Sequence, residues 1–563
     1  LVGDWVMLQN CHLSISWMPT LEMICEGMEP DKIHSEFRLW LTSMPSESFP
    51  TSVLQNGVKI TKEPPKGMRA NLRSTYSKLD DARLSRTNKP AEFMKLLFGL
   101  SFYHAVVIER KKYGPLGWNI PYEFNDTDMD ITAAQLDLYV SAYSEVPYKV
   151  LQQLTSVVNY GGRVTDDKDM RTSDILIADF FTPQILSDDY AFSASGVYYS
   201  FKANPDNPHQ SYMDYIDSLP LNAEPEVFGM HDNANITCAI TEADATFGVI
   251  LALQPRVATG GGISREDQII EMARVMAHQL PAEYDIEAVS MLYPTDYHES
   301  FNTVLVQEGQ RYNNLLHAMH RTLIDLQRAL KGFVVLSAEL EAMGNACFDQ
   351  RVPSGWTAAA YPSLKPLGPW FKDLLQRLVF VSEWIDQGIP PSVWISGFFF
   401  PQGFLTAILQ NYARKYQIPI DTVTFSFVMW DTEAIASKPE DGCYIYGLFL
   451  EGARWNTGVN SLVDPKPKEL FSPMPPIHML PKMDRETPQE GIYRCPVYKV
   501  LTRTGTLSTT GHSTNFVTWI EVPSNKNTIF RSSLVSETNA QIKFCDQDYW
   551  IKAGVACFCA LRY

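Results

Sequence analysis

The chain has 563 residues, 45% hydrophobic and 20% charged, a globular composition that excludes wholesale disorder and leaves room for about three or four domains. Its formal net charge of −17 disfavours phosphate backbones and anionic lipid, so neither nucleic acid nor membrane is an expected partner. The cysteines are odd in number and irregularly spaced, which argues against a disulfide framework and fits a reducing compartment.

The first residue is Leu1, and an apolar run follows almost at once, so the sequence reads as cut from a longer one. It shows no signal-peptide pattern. No apolar stretch is read as reaching the ~20 residues of a membrane helix. The strongest candidate, residues 393–404, is broken by Gly397, Pro401 and Gly403. Trp5–Leu8 predicts a short buried strand, and residues 16–28 predict a helix with Trp17, Leu21 and Ile24 on one face. Residues 37–41 predict a second buried strand, ended by Thr42-Ser43-Met44-Pro45. Two strands separated by a helix point to a parallel α/β sheet. Glu63-Pro64-Pro65-Lys66-Gly67 is a rigid loop.

Residues 92–112 form a long apolar-periodic helix that stops at Tyr113-Gly114-Pro115. Shorter helices are expected over 132–143 and 148–158, the second closed by Gly161-Gly162. Residues 182–225, rich in Asp, Ser and Pro, read as an ordered loop or linker. A third segment begins near His231, where Ser264 and Asp267 approximate a capping box for a helix to Leu280. Ser300–Leu330 is a long helix with Leu305, Tyr312, Leu316, Leu323 and Leu330 at heptad-like spacing. Residues 369–386 and 404–416 give two more. From Ile420 the apolar period changes to two, at 423–428, 444–450 and 555–561, which predicts an antiparallel sheet or small barrel.

Several patterns invite chemistry and are better explained without it. Thr259-Gly260-Gly261-Gly262-Ile263-Ser264 precedes a helix but lacks the lysine and hydroxyl of a P-loop, and the whole chain has no Walker A motif. Asn125-Asp126-Thr127-Asp128-Met129-Asp130 resembles the start of an EF-hand, but Ile131 stands where its glycine belongs, so it reads as a helix start with acids at the positive end of the dipole. Asp166-Asp167-Lys168-Asp169 reads as a similar cap. Ser508, His512 and Ser513 lack a nucleophile elbow. The pair Cys557 and Cys559 reads as buried strand thiols rather than metal ligands. The aromatic cluster 394–400 reads as core or domain interface.

Long and chemically unusual blocks then resemble one family, the axonemal dynein heavy chains. Gly3-Asp4-Trp5-Val6-Met7-Leu8-Gln9-Asn10-Cys11-His12-Leu13 resembles the middle of their sixth AAA+ module. Phe37-Arg38-Leu39-Trp40-Leu41-Thr42-Ser43, Leu54-Gln55-Asn56-Gly57-Val58-Lys59 and Gly114-Pro115-Leu116-Gly117-Trp118-Asn119-Ile120-Pro121-Tyr122 continue the match. So do Asn159-Tyr160-Gly161-Gly162-Arg163-Val164, Phe228-Gly229-Met230-His231-Asp232-Asn233, Tyr361-Pro362-Ser363-Leu364-Lys365-Pro366 and Gly447-Leu448-Phe449-Leu450-Glu451-Gly452.

The resemblance implies a multidomain α/β, α and β architecture. Residues 1–90 would be part of the large α/β subdomain of that module, and 91–232 its helical lid and a linker. Residues 233–418 would be the helical part of the C-terminal domain, and 419–563 its antiparallel β-barrel. An active module carries Asp-Glu where this chain has Gln9 and Asn10, a polar sensor where it has Met44, and an arginine finger where it has Lys59. The resemblance therefore implies no catalytic residue, cofactor or metal here, with ATP and Mg in upstream modules of the parent protein. Implied partners are the remaining AAA+ modules, the microtubule through an upstream stalk, and other dynein-arm and regulatory proteins. The implied location is the axoneme of a cilium or flagellum after cytoplasmic assembly, with 506–517 leaning toward single-headed inner-arm chains. Two further readings are a module that hydrolyses nucleotide itself and a docking platform through the insertion-like stretch 524–548.

Overall fold

The computed structural model describes residues 3–46, 48–61, 63–253, 264–430, 435, 437–483, 491–505, 514–524 and 546–562. The chain divides into two compact units, Leu1–Pro65 and Lys66–Tyr563.

In the first unit, β1 (Trp5–Leu8) pairs in parallel with β2 (Arg38–Leu41), in the register Trp5↔Arg38 to Leu8↔Leu41. Parallel strands need a crossover, and the helix Met18–Glu26 supplies it, with Pro19 in its first turn where a missing N–H costs nothing. Cys11, Met18 and Leu21 form its small core, joined by Leu8, Leu41 and Phe49. The expectation that both strands are buried is corrected: Trp5 is 69% and Met7 56% exposed. A two-stranded sheet backed by one helix has too few layers to cover both faces.

The second unit begins with helices around Pro90–Glu109, whose Leu96, Leu97, Leu100, Phe102 and Val106 have no solvent exposure. The segment Pro90–Leu116 is long and apolar enough to cross a membrane by length and composition, which corrects the choice of 393–404 as the strongest such stretch. Its side chains pack against neighbouring helices instead, as the central rod of a core. The expected linker at 182–225 is also corrected. It contains the helix Pro208–Ser218 and wraps aromatic rings around the rod, with Phe98 stacked on Tyr212 at 5.2 Å and Phe102 on Phe192 at 4.8 Å. A helix over Ala234–Leu253 follows, also absent from the sequence reading. Residues 148–158 are helical only to Gln153 and continue as a π turn, Leu154–Asn159.

A second core is built on Ser300–Leu330, which buries Leu305, Tyr312, Leu316 and Leu323 as its spacing requires. Leu367–Gln387 and Pro401–Tyr416 belong to the same core. The remaining strands are β3 (Ser392–Trp394), β4 (Thr424–Met429), β5 (Cys443–Tyr446), β6 (Phe449–Glu451), β7 (Arg454–Asn456) and β8 (Ser461–Val463). They continue with β9 (Phe471–Pro473), β10 (Ile477–Lys482), β11 (Ile492–Tyr498), β12 (Phe516–Pro523) and β13 (Ala556–Phe558). One sheet has the order β3-β5-β10-β4, another β12-β11-β13-β6-β9, and β7 pairs with β8 alone. Among the described residues no sheet closes on itself. The antiparallel expectation is corrected to mixed sheets, because β3 pairs in parallel with β5 and β11 with β13. Each parallel pair is joined by a long connection containing a helix, Pro401–Tyr416 in one and Asp546–Lys552 in the other.

Candidate functional site

The C-terminal ends of β1 and β2 bring together three of the four positions singled out in the sequence, Gln9, Asn10 and Met44. Thr42 holds the junction: its N–H donates to Leu8 O at 2.9 Å, its carbonyl accepts from Cys11 N at 2.9 Å, and its hydroxyl accepts from Asn10 N at 3.0 Å. Asn10 adopts a left-handed conformation, φ 55°, which turns the backbone sharply off the strand. The next strand's exit is tied in when Met44 N donates to His12 Nδ1 at 3.2 Å. Gln9, Asn10 and Met44 are all exposed, and among the described residues the Gln9 amide donates only to Met7 Sδ, at 3.5 Å. Lys59 does not join them; it lies in the exposed irregular segment after the helix Thr51–Asn56. Neutral amides at such a strand end can hydrogen-bond, but they cannot act as a carboxylate base.

A second constellation, unforeseen from the sequence, lies in the larger unit where the helices of 90–230 meet the last strands and helix. Arg110 has no solvent exposure. Its Nη1 donates to Phe228 O and, at 3.1 Å, to Lys552 O, while Nη2 reaches Lys552 O at 3.2 Å. Its Nε donates to Gly117 O at 3.2 Å. Burial pulls its pKa down to about 10. Asn119 donates from Nδ2 to the Tyr498 hydroxyl at 3.0 Å and to Asp166 Oδ1 at 3.1 Å. Asp169 accepts from the backbone of Asn119 at 2.9 Å and Ile120 at 3.1 Å, and burial raises its carboxyl to about 7.

The seam extends on both sides of Arg110. Lys552 Nζ pairs with Asp179 at 2.5 Å, and Arg171 Nη1 donates to Arg494 O at 3.2 Å. Asn233 donates to the carbonyls of Lys466 at 2.8 Å and Glu469 at 3.0 Å, and accepts from Lys468 N at 2.8 Å. Two glycines let the backbones approach. A Cβ on Gly117 would strike the Arg110 carbonyl, and one on Gly554, at φ +71°, would strike that of Leu116. The blocks Gly114 to Tyr122 and Phe228 to Asn233, which carry part of the family resemblance, thus supply much of this seam. Their pairing is invisible in sequence because the partners lie hundreds of residues away.

The acidic runs act as caps. Asn125 and Asp128 form a reciprocal capping box on Asp126–Ala142, and Asp166 accepts from Lys168 N at 2.9 Å and Asp169 N at 3.3 Å at the start of Asp167–Ala178. Ser264 caps Arg265–Gln279 through Asp267 N at 3.1 Å. Cys557 and Cys559 are buried, and Cys557 Sγ lies 3.6 Å from Cys495 Sγ. Burial pushes the Cys559 thiol up to about 12, which removes it from thiolate chemistry. Thr259 to Ile263, the residues Ser508, His512 and Ser513, and most of 524–548 lie outside the described residues. Ser524 itself accepts from Trp550 Nε1 at 2.7 Å.

Residues 240–559 match the C-terminal domain of dynein heavy chains, 93–234 the dynein heavy chain AAA lid domain, and 1–61 the dynein heavy chain region D6 P-loop domain. The rat protein dynein axonemal heavy chain 1 is 50% identical over 563 residues, covering 100% of this chain and 12% of its own length. Human dynein axonemal heavy chain 3 is 48% identical over 99% of this chain and 13% of its own length. Rat dynein axonemal heavy chain 12 is 46% identical over 99% and 18%. The sequence therefore spans only a small part of the curated relatives it matches. With the C-terminal domain match alone covering more than half of the residues, this chain belongs to the dynein heavy chain family.

Proposed function

We propose that this chain is a mechanical and regulatory part of an axonemal motor heavy chain, powered by ATP bound elsewhere in that protein. In this reading 1–90 is the edge of a non-hydrolysing sixth AAA+ module, 91–232 its lid and linker, 233–418 the helical part of the C-terminal domain and 419–563 its β part. The two larger sheets are the halves of a small barrel that approach at β4 and β12. The whole protein works on microtubules in a cilium or flagellum, as an inner-arm motor beside other arm and regulatory proteins.

The observation that carries the reading is the pair of neutral side chains at the end of β1. Gln9 and Asn10 occupy the place where magnesium binding and water activation need carboxylates. Their donor set does not fit a hydrated magnesium ion, and Met44 beside them has no polar group to sense a γ-phosphate. Bracing fits the seam, since coupling between packed modules needs bonded interfaces rather than a reactive side chain. The test is ATP turnover by the purified protein. No hydrolysis above the buffer blank is expected. A turnover that Gln9→Ala abolishes would overturn the reading.

A further inference from the structure

The seam holds a half-open cavity of about 20 Å³ lined by Arg110, Lys168, Arg171, Arg503, Asp169 and Tyr498, among others. That volume holds one occupant the size of a water molecule or a small ion. Four of these side chains are cationic and one is acidic. Among the described residues only Arg503 of the four meets a carboxylate, Glu451, at 2.7 Å. Arg110 is satisfied by backbone carbonyls. Lys168, 7% exposed, rests its ammonium 4.2 Å from the centre of the Phe516 ring, and among the described residues no carboxylate bonds to it. Arg171 stacks over Trp519 at 4.9 Å, and its buried Nε has no acceptor among the described residues. The one acid, Asp169, is itself pushed toward neutrality by burial.

A cation shielded from water without a counter-charge is costly, and here Lys168 is buried and Arg171 half-buried with its Nε shielded, so the surplus is local. Donors also remain. The Tyr498 hydroxyl accepts from Asn119, so its own proton is available, as is the Arg171 Nε–H. The geometry points to a binding site for a small monovalent anion of the halide class, held in this cavity between Arg171, Lys168 and Tyr498. The anion offsets the uncompensated charge and ties the helix Asp167–Ala178 to β11.

Crystals of the protein soaked in sodium bromide test this by anomalous diffraction, and bromine-81 NMR line broadening tests it in solution. A bromide peak within hydrogen-bond reach of Arg171 and Tyr498 is expected, with line broadening that chloride competes away. Arg171→Gln and, separately, Lys168→Gln should each weaken bromide binding roughly tenfold or more, as expected for loss of a charge-assisted bond. Lys415→Gln, at an exposed surface pair, should leave it unchanged. A cavity holding only water in bromide-soaked crystals would overturn the proposal. So would a peak seen only at molar bromide and insensitive to both variants, which marks an adventitious ion only.

Discussion

His104 lies 3% exposed inside the helical core, with Nδ1 2.9 Å from the Tyr160 hydroxyl. Burial lowers its pKa to about 4 from an ordinary 6.5. The unfolded protein therefore binds a proton at His104 between those values while the folded protein does not. By linkage, stability is fully present above pH 6.5 and is lost as pH falls toward 4. Thermal melting of the native protein and His104→Phe at about pH 7 and about pH 5 checks this. The native protein should lose more stability than the variant over that interval, and parallel losses would contradict it. At this scale the burial of Cys557 and Cys559 was readable directly, because a C-x-C on a strand puts both thiols on one face. Lys59 lies exposed in the irregular segment after the helix Thr51–Asn56, apart from Gln9, Asn10 and Met44.

Helix ends are encoded locally, and the structure follows them closely. The run beginning at Asn125 forms a true capping box, so Asp126–Ala142 starts where that acidic run marks a helix start, six residues before the 132 given for the helix by its apolar period. Replacing Asn125 with Ala should cost about 1 kcal/mol in urea denaturation, the usual worth of a capping side group. Asn125→Ser should restore most of it, and equal stability of all three would show that the cap contributes nothing. The helix Pro208–Ser218 escaped notice because its surroundings are rich in turn residues. Its helicity is secured by Tyr212, Tyr215 and Ile216 packing into the aromatic cluster. Strand direction was the other miss. Period-two alternation reports which face is buried and is blind to whether the neighbour runs parallel, as β13 does beside β11.

For the larger unit taken whole, Arg110 is the bond on which the seam turns. Arg110→Met keeps most of the apolar stem but leaves the carbonyls of Phe228 and Lys552 without their donor. A loss on the order of 3 kcal/mol is expected in guanidinium denaturation. Hydrogen exchange should rise in both 228–233 and 546–562. Arg274→Met, at an exposed pair, should change neither measurement. Exchange confined to the immediate neighbours of residue 110 would mean that the seam is not a cooperative brace.

Local chemistry settled the helices with strong apolar period, the caps, the change to strands near Ile420 and the absence of acids after β1. Each of these depends on residues only a few positions apart. The seam, the parallel strand pairs and the gathering of Arg110, Lys168, Arg171 and Arg503 around one cavity were decided by folding alone. They join Arg110 to Lys552, Asn119 to Tyr498 and Asn233 to the loop at 466–469. Such contacts form because separate apolar cores bring distant backbones together and must then satisfy the polar groups trapped between them.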